Sequence, residues 1–266
     1  MNTIIATVII SFVLALVLGC LLGFFKKVFA VQEDERIGKL MEVLPNANCG
    51  GCGYAGCGAY AAAVVKDGAP LNGCTAGGAA VAAKIAEIMG GTADDTSYIA
   101  VLACQGCNEN AEKKGEYTGL KSCAAANIAI NGTKLCASGC IGYGDCVAAC
   151  KFDAIAIDEK GLPVINREKC TGCGACAKAC PKKILKKVNA KRSAPMVLCS
   201  VTSDNKPAVL KNCKVSCIKC HKCEKDCLQG AIHFENNLPV HDEAKCVGCG
   251  TCINSCVRKS IQFVTK

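Results

Sequence analysis

The chain has 266 residues, of which 26 are cysteine, with no tryptophan, 7 phenylalanines and 5 tyrosines. So few large aromatics exclude a broad aromatic-rich core, and domains built this way need staples of disulfide, metal or cluster. A formal net charge of +9 points to acidic partners or an anionic surface, and the cysteines are the feature to explain.

From the N-terminus, residues 4–25 form one run of 22 residues without a charged side chain. That length predicts a helix crossing the hydrocarbon layer. A cleaved signal peptide is the poorer reading, because no basic region precedes the run and no small-x-small cleavage motif follows it. Lys26 and Lys27 come directly after it. The positive-inside rule then predicts a single-pass anchor, residues 1–27, in the plasma (inner) membrane, with the rest of the chain on the cytoplasmic side. Thiols there stay reduced, which leaves metal or cluster ligation for the cysteines. The run holds no Asp, Glu, Lys, Arg or His, so no ion path is expected through this chain alone. Gly19 and Gly23 either offer small-xxx-small spacing to a neighbouring helix or are simply the glycines common in membrane helices. Residues 28–44, with the charged stretch Glu33-Asp34-Glu35-Arg36, read as a short amphipathic connector.

Residues 45–92 carry Cys49, Cys52, Cys57 and Cys74 in the spacing C-x2-C-x4-C-x16-C, with glycines between the first three. Glycine lets backbone amides crowd a metal centre without side-chain clash. Helices are predicted over 59–65 and over 78–89, the second ending at Gly90-Gly91. Four thiolates suit one [4Fe–4S] cluster, and a structural zinc could use them equally well.

Past a loop near residues 92–97, the chain repeats itself. Cys136-x3-Cys140-x5-Cys146-x3-Cys150 aligns without a gap on Cys213-x3-Cys217-x5-Cys223-x3-Cys227, and each copy then reaches a C-x2-C-x2-C-x3-C run. Those runs are Cys170, Cys173, Cys176, Cys180 and Cys246, Cys249, Cys252, Cys256. The lead-ins match too, Val101-Leu102-Ala103-Cys104 against Met196-Val197-Leu198-Cys199, while the first copy has an insertion of 18 residues that includes Cys123. The modules are placed at 98–192 and 193–266.

In bacterial two-cluster ferredoxins, three cysteines of such a run hold one cube and the fourth ligates the other. The second module then reads as Cys217, Cys220, Cys223 and Cys256 around one cluster, with Cys227, Cys246, Cys249 and Cys252 around its mate. In the first module, Cys150, Cys170, Cys173 and Cys176 form one set. The other has only Cys140, Cys146 and Cys180 in register, because Tyr143 stands where a cysteine is required. Cys136, just upstream, is expected as the fourth ligand, with a three-iron or a lost cluster as the alternative. Twenty cysteines thus serve as iron ligands of five clusters. Cys20 reads as packing in the membrane helix. Cys104, Cys107, Cys123, Cys199 and Cys213 read as small buried hydrophobes in preference to ligands of a further cluster.

No G-x-G-x-x-G follows a predicted strand, so neither flavin nor NAD is expected to bind this chain. His221, His233 and His241 accompany no nucleophile or carboxylate pair and read as surface residues, so no catalytic residue is assigned. Residues 167–225 hold 15 Lys or Arg against 3 Asp or Glu. A basic face beside a cluster would steer an acidic redox protein such as ferredoxin, with anionic lipid as the rival partner. Nucleic acid is disfavoured, since no stacking aromatics accompany the charge.

The membrane run, then Asn48-Cys49-Gly50-Gly51-Cys52-Gly53-Tyr54-Ala55-Gly56-Cys57 with Asn72-Gly73-Cys74, then ferredoxin repeats, resembles the B subunits of Rnf complexes over nearly the whole chain. The four-cysteine segment is also similar to a [4Fe–4S] domain of corrinoid iron–sulfur proteins, which favours a cluster over zinc there. The resemblance implies an α+β chain with one N-terminal transmembrane helix, a small helical [4Fe–4S] domain and two bacterial-ferredoxin-like two-cluster modules. It further implies a role within a ferredoxin:NAD oxidoreductase coupled to Na+ or H+ export. In that role the chain accepts electrons from reduced ferredoxin and passes them to membrane iron–sulfur and flavin subunits, while NAD binds elsewhere in the complex. A stand-alone membrane polyferredoxin, a related complex feeding a redox sensor or nitrogenase, and a zinc-bound scaffold are the other readings.

Overall fold

The computed structural model describes residues 2–28, 34–92 and 97–265. Helix α1, Asn2–Val28, is built from the apolar run. The described side chains along residues 9–25, among them Ile9, Phe12 and Leu22, all stand exposed. Judged on the described residues alone, no helix is long and apolar enough to cross a membrane.

Helices α2 (Glu35–Val43), α3 (Cys57–Lys66) and α4 (Gly78–Met89) pack on one another. Asp34 caps α2 by accepting from the Arg36 backbone N–H at 2.9 Å. At its other end α4 stops at Gly90, whose left-handed φ of 68° a residue with a Cβ adopts only under strain. The core of this unit is Leu40, Leu44, Tyr60, Ala61, Val64 and Ile85. The Tyr60 hydroxyl donates to Pro70 O at 2.7 Å and accepts from Gly73 N at 3.1 Å, pinning the loop that carries Cys74. The expected connector is therefore in part core. Ile37, Leu40, Met41 and Leu44 recur at helical spacing and pack into this unit, as an apolar stripe must.

The remainder is made of strand pairs and short helices. In chain order they are β1 (Tyr98–Leu102), α5 (Cys123–Ile130), α6 (Asp145–Ala148), β2 (Ile155–Ile157), β3 (Pro163–Ile165), α7 (Ala175–Ala179) and β4 (Leu185–Asn189). Then follow β5 (Met196–Val197), α8 (Lys206–Asn212), α9 (Lys222–Lys225), β6 (Ile232–Glu235), β7 (Leu238–His241), α10 (Thr251–Ser255) and β8 (Ile261–Gln262). All pairing is antiparallel: β1 with β4 and β2 with β3, then β5 with β8 and β6 with β7. Each half thus closes its first strand on its last and nests a hairpin inside, with α6 against α7 and α9 against α10.

The halves are packed together. Ile99, Val101 and Val188 of the first form one buried group with Val264 of the second, with Met196 and Leu198 against it. Ser200 Oγ donates to Ala103 O at 2.9 Å, and Arg192 pairs with Glu243.

Candidate cofactor sites

The cysteine-bearing loops are pinned from behind by these strands and helices, and among the described residues the thiols gather in six groups of four. Cys74 lies within electrostatic reach of Cys57, Cys52 and Cys49. Cys176 is similarly placed beside Cys170 and Cys173 and shares a buried cluster with Cys150. Cys252 lies close to Cys246, Cys227 and Cys249. Cys217, Cys220, Cys223 and Cys256 line one cavity.

The fifth group differs from expectation. The cavity walled by Cys140, Cys146 and Cys180 takes its fourth cysteine from Cys123, not from Cys136. Cys123 opens α5 inside the 18-residue insertion, and Asp145 fixes it there. The Asp145 carboxylate accepts from the Cys123 and Ala124 amides at 2.8 and 2.9 Å and from Ser122 Oγ at 3.1 Å. Burial works against that charge, yet these donors hold the carboxyl below its usual range. Tyr143, the residue that breaks the motif, packs with Tyr117 of the insertion at 6.1 Å between ring centroids. Cys136 is drawn elsewhere by the turn that follows it, in which Gly139 N donates to Cys136 O at 3.0 Å. It lines another cavity with Cys104, Cys199 and Cys213, the sixth group. The sequence signal for Cys123 was there to read: one cysteine too few in the motif, and one extra in an insertion found only in that copy.

Several of these thiols are held in their neutral form. Burial pushes Cys140 and Cys223 up to about 12, and Cys136, Cys146, Cys176, Cys217 and Cys252 up to about 11. A metal that binds a thiol deprotonates it, so loading such groups releases protons. Cys256 moves the other way. Burial opposes its charge, but hydrogen bonds from Ser260 Oγ (3.3 Å) and Ser260 N (3.4 Å) outweigh it. The same sulfur–amide contact recurs at 3.4 Å from Ala154 N to Cys150 and from Ala231 N to Cys227, matching positions of the two halves.

Among the described residues, no three His, Cys, Asp or Glu side chains converge closely enough to hold a single metal ion. A tetrahedral zinc, with Zn–S of about 2.3 Å, needs its sulfurs only about 3.8 Å apart. At the Cys140, Cys217 and Cys104 groups the thiols wall a cavity, which suits a polynuclear cluster. A second observation fits an occupant rich in acceptors. Four buried side-chain polar atoms lack a partner among the described residues: Thr75 Oγ1, Gln105 Nε2, Thr171 Oγ1 and Arg258 Nε. Each sits one or two residues past a grouped cysteine, namely Cys74, Cys104, Cys170 and Cys256. Buried donors are almost always paired, and cluster sulfides would accept from them.

The groups also adjoin one another. A Cβ on Gly51 would come within 2.6 Å of Cys173 O, and Lys178 Nζ donates to Gly50 O at 3.2 Å. Cys176 feels Cys146, and Cys140 feels Cys104. Cys217 N donates to Cys199 Sγ at 3.4 Å.

Of the remaining cysteines, Cys107 is buried but joins no group, and Cys20 is exposed on α1. His221 and His233 are exposed, each 2.8 Å from a glutamate (Glu224, Glu235). His241 departs from its surface reading. It is 6% exposed, burial pushes it down to about 4, and its Nε2 lies 3.5 Å from Cys252 Sγ.

A family profile described as a putative Fe-S cluster matches residues 44–76, and profiles described as 4Fe-4S dicluster domains match 139–184 and 162–207. The chain is 44% identical to the B subunit of the Na(+)-translocating ferredoxin:NAD(+) oxidoreductase complex of Acetobacterium woodii, over 96% of this chain and 77% of that one. It is 37% identical to the B subunit of the ion-translocating oxidoreductase complex of Methanosarcina acetivorans, over 94% of each. With the B subunit of the proton-translocating ferredoxin:NAD(+) oxidoreductase complex of Clostridium ljungdahlii it shares 40% identity, over 99% of this chain and 94% of that one.

Proposed function

Because the chain belongs to the B-subunit family of ion-translocating ferredoxin:NAD oxidoreductase (Rnf) complexes, we propose that it takes electrons from reduced ferredoxin and relays them to the membrane part of such a complex. It is an iron–sulfur electron-transfer subunit with ferredoxin-like 4Fe-4S domains. The finer reading assigns Cys49, Cys52, Cys57 and Cys74 to one cluster and Cys150, Cys170, Cys173 and Cys176 to a second. Cys123, Cys140, Cys146 and Cys180 take a third. Cys217, Cys220, Cys223 and Cys256 take a fourth, and Cys227, Cys246, Cys249 and Cys252 a fifth. Bound there, [4Fe–4S] clusters supply one-electron storage at low potential.

The chain's own part is to hold, space and insulate. Burial of Cys140, Cys146 and Cys176 keeps water from the sulfurs. The amides of Ala154, Ala231 and Ser260 stabilise charge on Cys150, Cys227 and Cys256, which eases reduction. NAD reduction belongs elsewhere in the complex in this reading. The membrane iron–sulfur and flavin subunits are the onward partners.

Ferredoxin docking is assigned to the basic face. Lys182, Lys183, Lys186 and Arg192 line one groove beside Cys199, and Lys187 stands 4.2 Å over the Tyr98 ring. An acidic donor would be steered there. Residues 1–27 act as a single-pass anchor with the cysteine-bearing parts on the cytoplasmic side. Its support is the uncharged run and the exposure of the described apolar side chains of α1.

One observation carries the relay reading: the groups adjoin in series instead of lying apart, as the Gly51–Cys173 approach illustrates. The test is anaerobic purification, followed by iron and sulfide counts and stopped-flow reduction by reduced ferredoxin. Cube-type reducible signals and uptake from ferredoxin are expected. A colourless zinc protein, or a cluster protein that ferredoxin does not reduce, overturns it. For the anchor, alkaline carbonate should leave the full chain in membranes and release one lacking residues 1–27.

A further inference from the structure

The relay reading leaves the two ferredoxin-like halves without a stated link, and four of the cysteines it does not use lie between them. Cys104 and Cys199 each stand two residues past the first strand of their half, β1 and β5. Cys136 and Cys213 each open the repeated motif, four residues before Cys140 and Cys217. Two pairs of matching cysteines, one pair from each half, thus wall a single cavity. We propose that Cys104, Cys136, Cys199 and Cys213 ligate a sixth [4Fe–4S] cluster, shared by the two halves, through which electrons pass between them. The inference rests on the relay reading above and extends it.

The surroundings suit an anionic cube. Four thiolates on such a core carry a net charge of about −2 when oxidised and about −3 when reduced. Buried cations are uncommon unless paired. Lys134 is 3% exposed, with Nζ donating to Gly106 O in the cavity wall at 2.6 Å. Lys219 is 5% exposed and within reach of Cys199. Arg258 donates to Cys213 O at 2.7 Å from Nη2, and its Nε has no partner. Among the described residues, no carboxylate pairs with any of the three. Gln105 Nε2, also in the wall, lacks an acceptor. Glycine keeps the wall thin, since a Cβ on Gly106 would lie 3.5 Å from Cys104 Sγ and 3.6 Å from Cys213 Sγ.

Position gives the site its role. Cys104 lies within reach of Cys140 in the first half, and Cys199 accepts from the amide of Cys217 in the second. The order of groups is then the Cys49 set, the Cys150 set, the Cys140 set, the shared set, the Cys217 set and the Cys227 set. One electron enters the shared core from the Cys140 side, lowering it from 2+ to 1+, and the same electron leaves to the Cys217 side, restoring 2+. No bond changes and no proton is required.

Native mass spectrometry and iron and sulfide analysis of the full chain, purified anaerobically, give the first reading. About 24 irons and 24 sulfides are expected, against about 20 of each for five clusters. Cys104→Ser and Cys199→Ser should each lose about four irons, and the double variant should lose the same four and no more, because both serve one cluster. Cys107→Ser should lose none. In the single variants the half that dithionite-reduced ferredoxin reaches first should still be reduced, while passage of that electron to the other half slows. Full loading at 20 irons, one zinc per chain at this site, or a double variant that loses eight irons would overturn the sixth cluster and leave the five-cluster relay standing. Loss of all iron from every chain would sink both. If the variants do not fold, the wild-type mass count decides alone.

Discussion

At Tyr143 the repeated motif lacks a thiol, and Cys123 fills the gap from a segment that the other half does not have. A thiol brought from an insertion needs its own fastening, which Asp145 supplies by bonding the first turn of α5 to α6. Cys123→Ser is therefore expected to remove one cluster or convert it to a three-iron form, read as a new signal of oxidised protein in electron paramagnetic resonance. Unchanged iron would mean that Cys123 is not a ligand. Asp145→Ala leaves every thiol in place but frees the start of α5. Loss of a capping acceptor costs about 1–2 kcal/mol. Faster release of iron to a chelator is expected from this variant, with the other clusters untouched. Iron release at the wild-type rate would show that the carboxylate does not matter to the site.

Among the elements, helices α3 and α4 were legible because their composition and the Gly90 stop are local signals. α2 was legible only as an amphipathic connector and not as core, since nothing local says what an amphipathic face will cover. The cysteine groups divide along the same line. Those built on a short motif could be read from spacing, whereas Cys104, Cys136, Cys199 and Cys213 meet only because two repeats pack face to face, and a single linear pattern carries no trace of that. The contact between the four-cysteine unit and the first ferredoxin-like half is equally hidden in the sequence. It depends on Gly51, whose missing Cβ admits the Cys173 backbone. Gly51→Val should push the units apart. Iron content should stay constant, while electron passage between the Cys49 and Cys150 sets slows several-fold in freeze-quench measurements. Unchanged passage would place the route elsewhere.

For the whole molecule, the charge is as unevenly placed as the cysteines. The positive stretch 167–225 spans the end of the first half and the start of the second, so the basic groove and the shared cysteine group lie at the same junction. Cys199 belongs to both walls. A donor docked in that groove would stand close to the middle of the series, from which either half can be reached. Steering of this kind raises association rates by about 10- to 1,000-fold and is screened over a Debye length of about 8 Å at physiological salt. Reversing Lys183 and Lys186 to Glu should therefore slow ferredoxin-driven reduction by about 10-fold or more at low salt. The difference should shrink towards about 0.5 M salt, with iron content unchanged throughout. Equal rates at low salt would move the docking face away from this groove, and a defect that persisted at high salt would point to damaged contacts instead of lost attraction.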